Sequence, residues 1–352
     1  MTPTHIWVRA EQKTDETRTG ITPESALALI ADGYRITVEA SETRVINTKA
    51  YKVSGCDIAP AYSWPSAPDD AIIFGLKELP DDGTPLSHRH IMFGHAFKGQ
   101  RTGQRLLARF QAGGGQLWDL EYLTDRTGRR VAAFGYWAGF IGAAVAALCW
   151  AAEQTGRLMS PLSPYEDAQS LIAEVREELK ILDGPHPKTL IIGALGRVGR
   201  GASEFCQAVQ IPVTLWDSEE TKHGGPFPEI LSHEIFLNCI LAGPDTPVFL
   251  QADDTAKPRR LGVVGDIACD PDSSFNPVKL YNEATQWDMP AHRVVETPPL
   301  DVTAIDNLPS LLPLESSLDF AQQLLPILRD LKDDPDQVWH RAKKVFEAQT
   351  KN

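Results

Sequence analysis

Residues 188–217 contain the pattern that most restricts how this chain can fold. An apolar strand, KTLII, runs into a turn rich in glycine, and then come a helical stretch and a second strand, VTLWD. The glycines of the turn are spaced G-x-x-G-x-x-G, with Leu195 where the G-x-G-x-x-G fingerprint has its middle glycine. They are Gly193, Gly196, Gly199 and Gly201. Strand, glycine turn and helix within about 30 residues predict a dinucleotide-binding unit, in which the helix N-terminus faces a pyrophosphate.

Asp217 ends the second strand of this unit, about 20 residues past the glycine turn. An acidic side chain at this point accepts hydrogen bonds from the ribose hydroxyls and repels a 2′-phosphate, which favours NAD over NADP. The structural alternative is that the glycines only form a tight turn and that Asp217 only caps a loop. Strand, turn, helix and acid in register favour NAD as the cofactor.

The rest of the chain alternates short apolar runs with helical patterns, which predicts an α/β fold with parallel sheets. With 352 residues, the chain is long enough for two domains. Thr22, Pro23 and Gly33 fit the cap, first turn and stop of a helix, and the tail from Ser316 to about Thr350 is predicted to be helical. The predicted strands of the first half are HIWVRA, RITVEA, AIIFGL and HIMFG, and those after VTLWD are EIFLNCIL, RLGVVGDIA and HRVVETP.

The charge and the cysteines narrow the class of protein. The net charge is −13 without a basic run, so neither nucleic acid nor an anionic membrane surface is expected as a partner. The five cysteines form no CxxC pair and no metal-ligand spacing, which suits reduced thiols in the cytoplasm. The opening residues lack the apolar stretch of a secretory signal, so we expect a cytoplasmic protein.

The segment 131–152 carries no formal charge and is long enough to cross a bilayer. It consists largely of alanine and glycine, which suit a helix lying close against a neighbouring backbone. We therefore predict a buried helix between the domains rather than a membrane span.

Several segments taken together resemble saccharopine dehydrogenase of the NAD-dependent, lysine-forming type, within the wider alanine dehydrogenase and transhydrogenase superfamily. They lie in the same order and span nearly the whole chain. These segments are RAEQKTDETRTGITP, GLKELP, HIMFGHAFKGQ, GRRVAAFGYWAGF, IIGALGRVGRGA, WDSEETKHGGPF and DNLPSLLPLESS.

The resemblance implies two Rossmann-like domains with the active site in the cleft between them. The expected substrate domain covers 1–134 plus 313–352, and the expected NAD-binding domain covers 135–312. The implied reaction is oxidation of saccharopine to an imine, which water splits into L-lysine and 2-oxoglutarate. The cofactor contacts that it implies are Gly193, Gly196, Arg197, Val198, Gly199, Asp217, Thr221, Asp306 and Leu308.

Lys77 and His95 are the expected catalytic residues. Lys77 directly follows the strand AIIFGL, where a catalytic group is expected, and a partly desolvated lysine near other cations can act as a base toward the substrate amine. The alternative is an ordinary surface lysine at a strand end. His95 follows HIMFG, and an imidazole suits the proton transfers of imine hydrolysis. The family's catalytic lysine and acid–base histidine fall on these two positions.

Saccharopine carries three carboxylates, so its site needs fixed cations, and Arg18, Lys98 and Arg130 are the candidates. The resemblance also implies that Glu78 and Glu121 tune the lysine and histidine or hold the substrate amine, although plain charge pairing remains as an alternative. Leu314 stands where the family usually has an arginine, so the contact of that arginine is expected to differ here.

Three histidines within eight residues could suggest a metal, but strand geometry separates them, and hydride transfer to NAD needs no metal. We expect His88 and His90 at the solvated start of their strand, and we expect no metal site. The other functions considered are an alanine-dehydrogenase-like enzyme acting on a primary amine and a catalytically inactive NAD-binding module. The expected partners are small molecules (saccharopine, L-lysine and 2-oxoglutarate), with the chain a monomer or a weak homodimer.

Overall fold

The structure is a computed structural model that describes residues 3–13, 15–99, 101–182 and 184–350. The chain divides into two compact units. Unit 1 comprises the residues up to Ala133 together with those from Pro313 onward, and unit 2 is Phe134–Leu312.

The helices and strands follow one another in a mixed α/β order. The helices are α1 (Pro23–Ala31), α2 (Thr48–Val53), α3 (Arg101–Gly113), α4 (Gly135–Gln154), α5 (Ala168–Ile181), α6 (Arg197–Ala208), α7 (Ser218–Thr221), α8 (Pro313–Arg329) and α9 (Val338–Thr350). The strands are β1 (His5–Val8), β2 (Arg35–Glu39), β3 (Asp57–Ala59), β4 (Ile72–Phe74), β5 (Arg89–Met92), β6 (Gln116–Asp119), β7 (Thr189–Ile192), β8 (Val213–Trp216), β9 (Ile235–Asn238), β10 (Leu250–Gln251), β11 (Val263–Asp266), β12 (Val278–Lys279), β13 (His292–Val295) and β14 (Leu300–Thr303).

Unit 1 is built on a parallel sheet in the order β3-β2-β1-β4-β5-β6. The Thr22 side chain accepts a hydrogen bond from the Ser25 backbone N–H, as expected for the cap of α1. Because all these strands run in one direction, the segments that leave β1, β4, β5 and β6 emerge at one edge of the sheet.

The tail belongs to unit 1, but it is not one continuous helix as predicted. Helices α8 and α9 are separated by residues 330–337. Asp334 causes the second start, because its carboxylate accepts the backbone N–H groups of Trp339 and His340 at 3.1 and 2.8 Å. Helix α8 packs against α1, and α9 packs against β6 and α3, so both helices of the tail are part of unit 1.

Unit 2 is a second doubly wound unit, with the strand order β13-β14-β11-β9-β7-β8. Its strands are parallel except β13, which pairs antiparallel with β14 at one edge. The strand order reverses direction at β7 and β9, and ligands of open α/β sheets bind outside the carboxyl ends at such a point. The predicted α/β class with two parallel sheets is confirmed.

Helix α4 contains most of the uncharged segment and forms part of the core of unit 2. It is long and apolar enough to cross a membrane, but 78% of its most apolar window is buried. Its small residues allow a close approach to α6, since a Cβ on Gly139 would lie 1.8 Å from the carbonyl oxygen of Val198. The packing is that of a core helix, in agreement with the predicted burial.

Candidate functional site

The glycine turn of unit 2 has the geometry of a dinucleotide site. Gly193 has a φ of +87°, and a Cβ on it would lie 2.6 Å from Ile240 and 3.0 Å from Cys239. A Cβ on Gly199 would lie 2.2 Å from the carbonyl oxygen of Gly193, so only glycine lets α6 start this close to β7. Gly196 is the N-cap of α6.

Leu195, at the position of the missing middle glycine, fits this turn without crowding. Its side chain is 77% exposed, and its backbone N–H donates to Asp217 Oδ2 at 3.0 Å. The departure from G-x-G-x-x-G is therefore absorbed by a side chain that projects into solvent. Backbone N–H groups at the start of α6, in the segment of Arg197 and Val198, remain suitably placed for an anion.

Asp217 follows β8 and lies beside the glycine turn. Its carboxylate bridges the backbone N–H groups of Leu195 and Ser218, and its own N–H donates to Glu220 Oε2 at 2.7 Å. A cavity of about 560 Å³ adjoins this carboxylate. The cavity is lined by Ile192, Gly193, Asp217, Ser218, Thr221, Lys222, Gly224, Ile240, Leu241, Gly243, Pro244, Asp245, Thr246, Pro247 and Phe249.

These features of unit 2 fit the adenosine half of a dinucleotide: a cradle that any Cβ would fill, a helix N-terminus and an acidic group at a cavity wall. Thr221 lines the same cavity. Asp306 is an exposed residue in the otherwise largely buried segment after β14, whereas Leu308 is 3% exposed and packs in the core. A cofactor contact at position 308 would therefore have to come from the backbone.

The predicted residues of unit 1 lie at the carboxyl edge of its sheet. Lys77 and Glu78 follow β4, His95 and Lys98 follow β5, and Glu121 follows β6, on three adjacent strands. The pairing of β4 with β5 continues past the strand ends, because the Phe93 N–H donates to the Leu76 carbonyl at 2.8 Å. This bond fixes the start of the Lys77 segment beside the segment that carries His95.

Lys77 is partly buried, and its backbone carbonyl accepts a hydrogen bond from the buried guanidinium of Arg9. Glu16 lies close enough to Lys77 for the lysine charge to help lower the glutamate pKa. Burial alone would raise the pKa of Glu16, but the hydrogen bonds from Arg18 outweigh it, and the net pKa is lowered. The lysine thus lies near an ionised carboxylate.

Arg18 and Glu16 form a buried ion pair. The guanidinium grips the carboxylate with two bonds, Nε–Oε1 of 2.8 Å and Nη2–Oε2 of 2.7 Å, and each side chain is only 3% exposed. The fork predicted to bind a substrate carboxylate is therefore engaged with a carboxylate of this chain. Its role toward a substrate stays a prediction.

Glu78 connects the lysine segment to the histidine segment. Its carboxylate pairs with Lys13 at 3.2 Å. Burial alone would raise the pKa of Glu78. A hydrogen bond from its own backbone N–H and the charges of Lys13 and His95 outweigh burial, so the net pKa lies below the usual value. The influence of His95 places that ring near Glu78.

His95 is exposed and has a left-handed backbone, with φ of 48°. Its ring is stacked on Phe93 at a centroid distance of 6.3 Å. Helix α3 passes close behind, since a Cβ on Gly103 would lie 2.9 Å from the His95 carbonyl oxygen. A non-glycine residue in this conformation carries strain that its surroundings must hold in place.

Lys98 and Glu121 connect the loops after β5 and β6. Their side chains form an ion pair of 3.1 Å, and Phe97 packs edge-on against Tyr122 at 5.1 Å. Arg130 is partly buried and forms an isolated antiparallel bridge with Thr124. Charge pairing of Glu78 and Glu121 is therefore present, and a role toward a substrate amine stays a prediction for both.

His88 and His90 were predicted at a solvated strand end, but the structure buries both side chains. His88 is 4% exposed, with its Nε2 3.2 Å from the Ala67 carbonyl oxygen. His90 is fully buried between the rings of Trp64 and Phe110. The prediction was wrong because β5 is an inner strand of a parallel sheet, and such strands are covered on both faces.

Within the described ranges, no group of three or more His, Cys, Asp or Glu side chains is placed to hold a metal ion. The five cysteines, all of which the structure describes, are free thiols.

Sequence reasoning missed Lys13, Glu16 and Asp119 as neighbours of the predicted residues. Lys13 and Glu16 lie in the charged segment RAEQKTDETRTGITP, whose charge density was the available signal. Asp119 ends β6, a strand of four residues that the apolar pattern did not reveal.

The comparisons with known proteins first define a class. The family model described as "Alanine dehydrogenase/PNT, N-terminal domain" matches residues 7–141. A solved L-alanine dehydrogenase covers 98% of this chain and 99% of its own, with a TM-score of 0.69 and 15% identity. The match to a transhydrogenase from Sinorhizobium meliloti covers 96% of this chain and 97% of the transhydrogenase chain, with a TM-score of 0.66 and 16% identity. The chain therefore shares the fold of these two solved proteins.

Sequence relatives then define the family. The saccharopine dehydrogenase [NAD(+), L-lysine-forming] of Schizosaccharomyces pombe is 43% identical over 99% of both chains. The protein of the same name from Emericella nidulans is 44% identical over 97% of this chain and 96% of its own. The chain belongs to the family of saccharopine dehydrogenases of the NAD(+)-dependent, L-lysine-forming type, which confirms the resemblance seen in its sequence segments.

Proposed function

We propose that this chain catalyses the reaction of saccharopine, NAD⁺ and water to give L-lysine, 2-oxoglutarate, NADH and a proton. The observation that carries the proposal is the grouping of Lys77, His95 and their charged neighbours at one sheet edge of unit 1, in a chain 43% identical to saccharopine dehydrogenases over its length.

The first requirement is an uncharged amine on the substrate, because its nitrogen lone pair must drive the hydride from carbon. Lys77, partly buried at the end of β4, is the proposed base that takes a proton from the substrate amine. The ionised carboxylate of Glu16 lies near Lys77 and attracts the positive charge that the lysine carries after it has taken the proton. When bound, NAD⁺ accepts the hydride.

The second requirement is hydrolysis of the imine. A water molecule must lose a proton as it adds to the carbon, and the amine must gain one as it leaves. His95 is exposed on the loop beside Lys77 and can transfer protons near neutral pH. Glu78, whose pKa is lowered, stays ionised and favours the imidazolium form of a nearby histidine.

The third requirement is to hold three substrate carboxylates. Arg18, Lys98 and Arg130 supply cations around the same edge. In this structure Arg18 is paired with Glu16 and Lys98 with Glu121, so substrate binding would exchange at least the exposed pair of Lys98 for a substrate contact. Exposed pairs of this kind contribute little, about 0–1 kcal/mol, and exchange readily.

Unit 2 supplies the cofactor contacts in this proposal. Gly193, Gly196 and Gly199, with the backbone at Arg197 and Val198, would receive the pyrophosphate, and Asp217 and Thr221 would hold the adenosine ribose. Asp306 and the backbone of Leu308 would lie toward the nicotinamide end. Asp217 as a ribose acceptor favours NAD over NADP.

The test is turnover with purified protein and NAD⁺, followed at the absorbance of reduced nicotinamide. Saccharopine should be oxidised, and L-alanine should be oxidised much more slowly, if at all. Preference for alanine would support the primary-amine enzyme, and NAD binding without turnover of either substrate would support the inactive module.

Three further expectations accompany this function. We propose a cytoplasmic location, because the cysteines are free and the long apolar helix is buried in a unit. Saccharopine, L-lysine and 2-oxoglutarate are the proposed ligands, without nucleic acid or membrane. A monomer or weak homodimer is expected, which analytical ultracentrifugation would test.

A further inference from the structure

We propose that Asp119 is a positioning residue that holds the His95 loop and the Glu121 loop in one fixed arrangement. The proposal rests on the proposed function for its kinetic consequence, but not for its geometry. Asp119 belongs to none of the groups predicted to touch substrate or cofactor.

The carboxylate of Asp119 joins two loops from beneath. It ends β6, is fully buried, and stands opposite Met92 in the register of β5 and β6. Its Oδ2 accepts the backbone N–H of Gly94 at 3.2 Å, and its Oδ1 accepts that of Glu121 at 2.9 Å. One side chain thus fixes the residue just before His95 and the backbone of Glu121.

The Gly94 position leaves no room for a different anchor. A Cβ there would lie 2.7 Å from Leu117 and 3.2 Å from Asp119 Oδ2, so the backbone must sit directly on the carboxylate. The next residue is His95, whose left-handed backbone needs support from its surroundings. The bond to Gly94 holds the backbone one residue before that strained position.

The two loops meet again above the carboxylate. Lys98 pairs with Glu121, and Phe97 packs on Tyr122. The ion pair is exposed at its lysine end, with 59% of that side chain accessible, so it is a weak constraint. The two hydrogen bonds of Asp119 are the buried constraint between these loops, and in this proposal they determine how far His95 lies from Glu121.

The charge of Asp119 also depends on these two bonds. Burial raises the pKa of Asp119 to about 7, while the N–H groups of Glu121 and Gly94 act in the opposite direction and stabilise the carboxylate. The negative charge of Glu121 raises the pKa further, and Lys98 lowers it. The anchor and the loops therefore stabilise each other.

The first test is Asp119→Asn, which keeps the size of the side chain but can accept only one of the two bonds. We expect kcat with saccharopine to fall about tenfold, the loss of one hydrogen bond to a charged group, while NAD affinity is unchanged. Asp334→Asn is the matched control, since Asp334 also accepts two backbone N–H groups in unit 1 but supports only the start of α9.

A double variant separates positioning from a general structural role. If Asp119 acts through His95, adding Asp119→Asn to His95→Gln should change kcat by less than about twofold. An equal loss in both backgrounds, or no loss in either, would overturn the proposal. Asp119→Ser is the second variant, because serine can still cap Glu121 but is too short for Gly94, and it should lose kcat in the same way.

A readout that needs no turnover keeps this proposal distinct from the proposed function. In protein labelled at histidine, the NMR resonances of the His95 ring, assigned with His95→Gln, should shift in Asp119→Asn and stay in place in Asp334→Asn. A shift in a protein without saccharopine turnover would support the positioning role and refute the substrate. Unshifted resonances, or loss of native circular dichroism in both Asp119 variants, would refute positioning.

Discussion

Units 1 and 2 both present candidate residues at the carboxyl edge of a parallel sheet, but they use that edge in different ways. In unit 2 the edge works through the backbone: glycines that admit no Cβ, a helix N-terminus and one carboxylate that bonds to the turn. In unit 1 that edge presents charged side chains on the segments that follow four adjacent strands (β1, β4, β5 and β6), and most of these side chains are paired with one another. A backbone site is defined by spacing along the chain, whereas a side-chain site is defined by tertiary packing.

The comparison predicts that unit 1 is sensitive to chemistry at a single side chain. Lys77→Met, which keeps length but removes the base, should lower kcat with saccharopine by at least about 10²-fold. NAD binding should be unaffected. The control is Lys52→Met, an exposed lysine on α2. A kcat close to that of the wild type would make Lys77 an ordinary strand-end lysine.

Unit 2, by contrast, should be sensitive to any side-chain atom added at the glycines of its turn. Gly199→Ala places a Cβ 2.2 Å from the Gly193 carbonyl oxygen, so α6 must move away from the turn. Overpacking of this kind costs about 1–3 kcal/mol, and NAD should bind roughly 10- to 100-fold more weakly in a fluorescence titration. Gly184→Ala, whose Cβ would meet its nearest neighbour at 3.5 Å, should leave binding unchanged. Equal effects of both variants would contradict a site defined by close approach.

Asp217, the acidic residue that bonds to the glycine turn of unit 2, tests the contribution of charge at that edge. Asp217→Asn should weaken NAD binding by about tenfold and reduce the preference for NAD over NADP, because a charged acceptor is lost and a repulsive charge is removed. Glu219→Gln removes the same charge from an exposed residue paired with Lys222. If the two variants change the NAD and NADP affinities alike, the effect is one of net charge and not of Asp217.

The smallest effect is expected in the interior of unit 1. Burial, with the charges of Arg9, His88 and Arg109, lowers the pKa of His90 well below 6.5. Below that pH the unfolded chain binds a proton that the folded chain excludes, so stability is present above about pH 6.5 and falls as the pH decreases. In the wild type this effect lowers the free energy of unfolding by up to about 1.4 kcal/mol for each pH unit below 6.5, and His90→Phe should abolish that contribution.

Urea denaturation at pH 7.5 and 5.5 measures this difference. Phenylalanine keeps the ring contacts with Trp64 and Phe110, and His340→Gln removes an exposed histidine of the same unit as a control. The same pH slope in His90→Phe and in the wild type would contradict a buried neutral imidazole at this position.

The contrast between the units also explains what could be predicted from the sequence. The glycine turn, Asp217 and the strands around them were found because their spacing along the chain mirrors their geometry. The positions of Lys77 and His95 at strand ends were visible for the same reason. The class and the family were both predicted from segments of the chain and confirmed.

What the sequence did not reveal depends on neighbours distant along the chain or on very short elements. Arg18 and Glu16 are two residues apart, but the sequence does not show that both side chains are buried and form a bidentate ion pair with each other. Strand β6 has the sequence QLWD, with only two apolar residues between polar ones, so no apolar run marked it and Asp119 was missed. His88 and His90 were expected at the solvated start of their strand, but β5 lies between β4 and β6 in the sheet, and tertiary packing buries both side chains.

The contact of α4 with α6 has a mechanical consequence. A Cβ on Gly201 would lie 1.9 Å from the Tyr136 carbonyl oxygen, just as one on Gly139 would strike Val198. Two helices in backbone contact at two points cannot slide past each other, so they form one rigid pair. Any shift of α6 must then carry along the 20-residue helix α4 and the hydrophobic interior around it, which makes the glycine turn at the start of α6 a stiff part of unit 2.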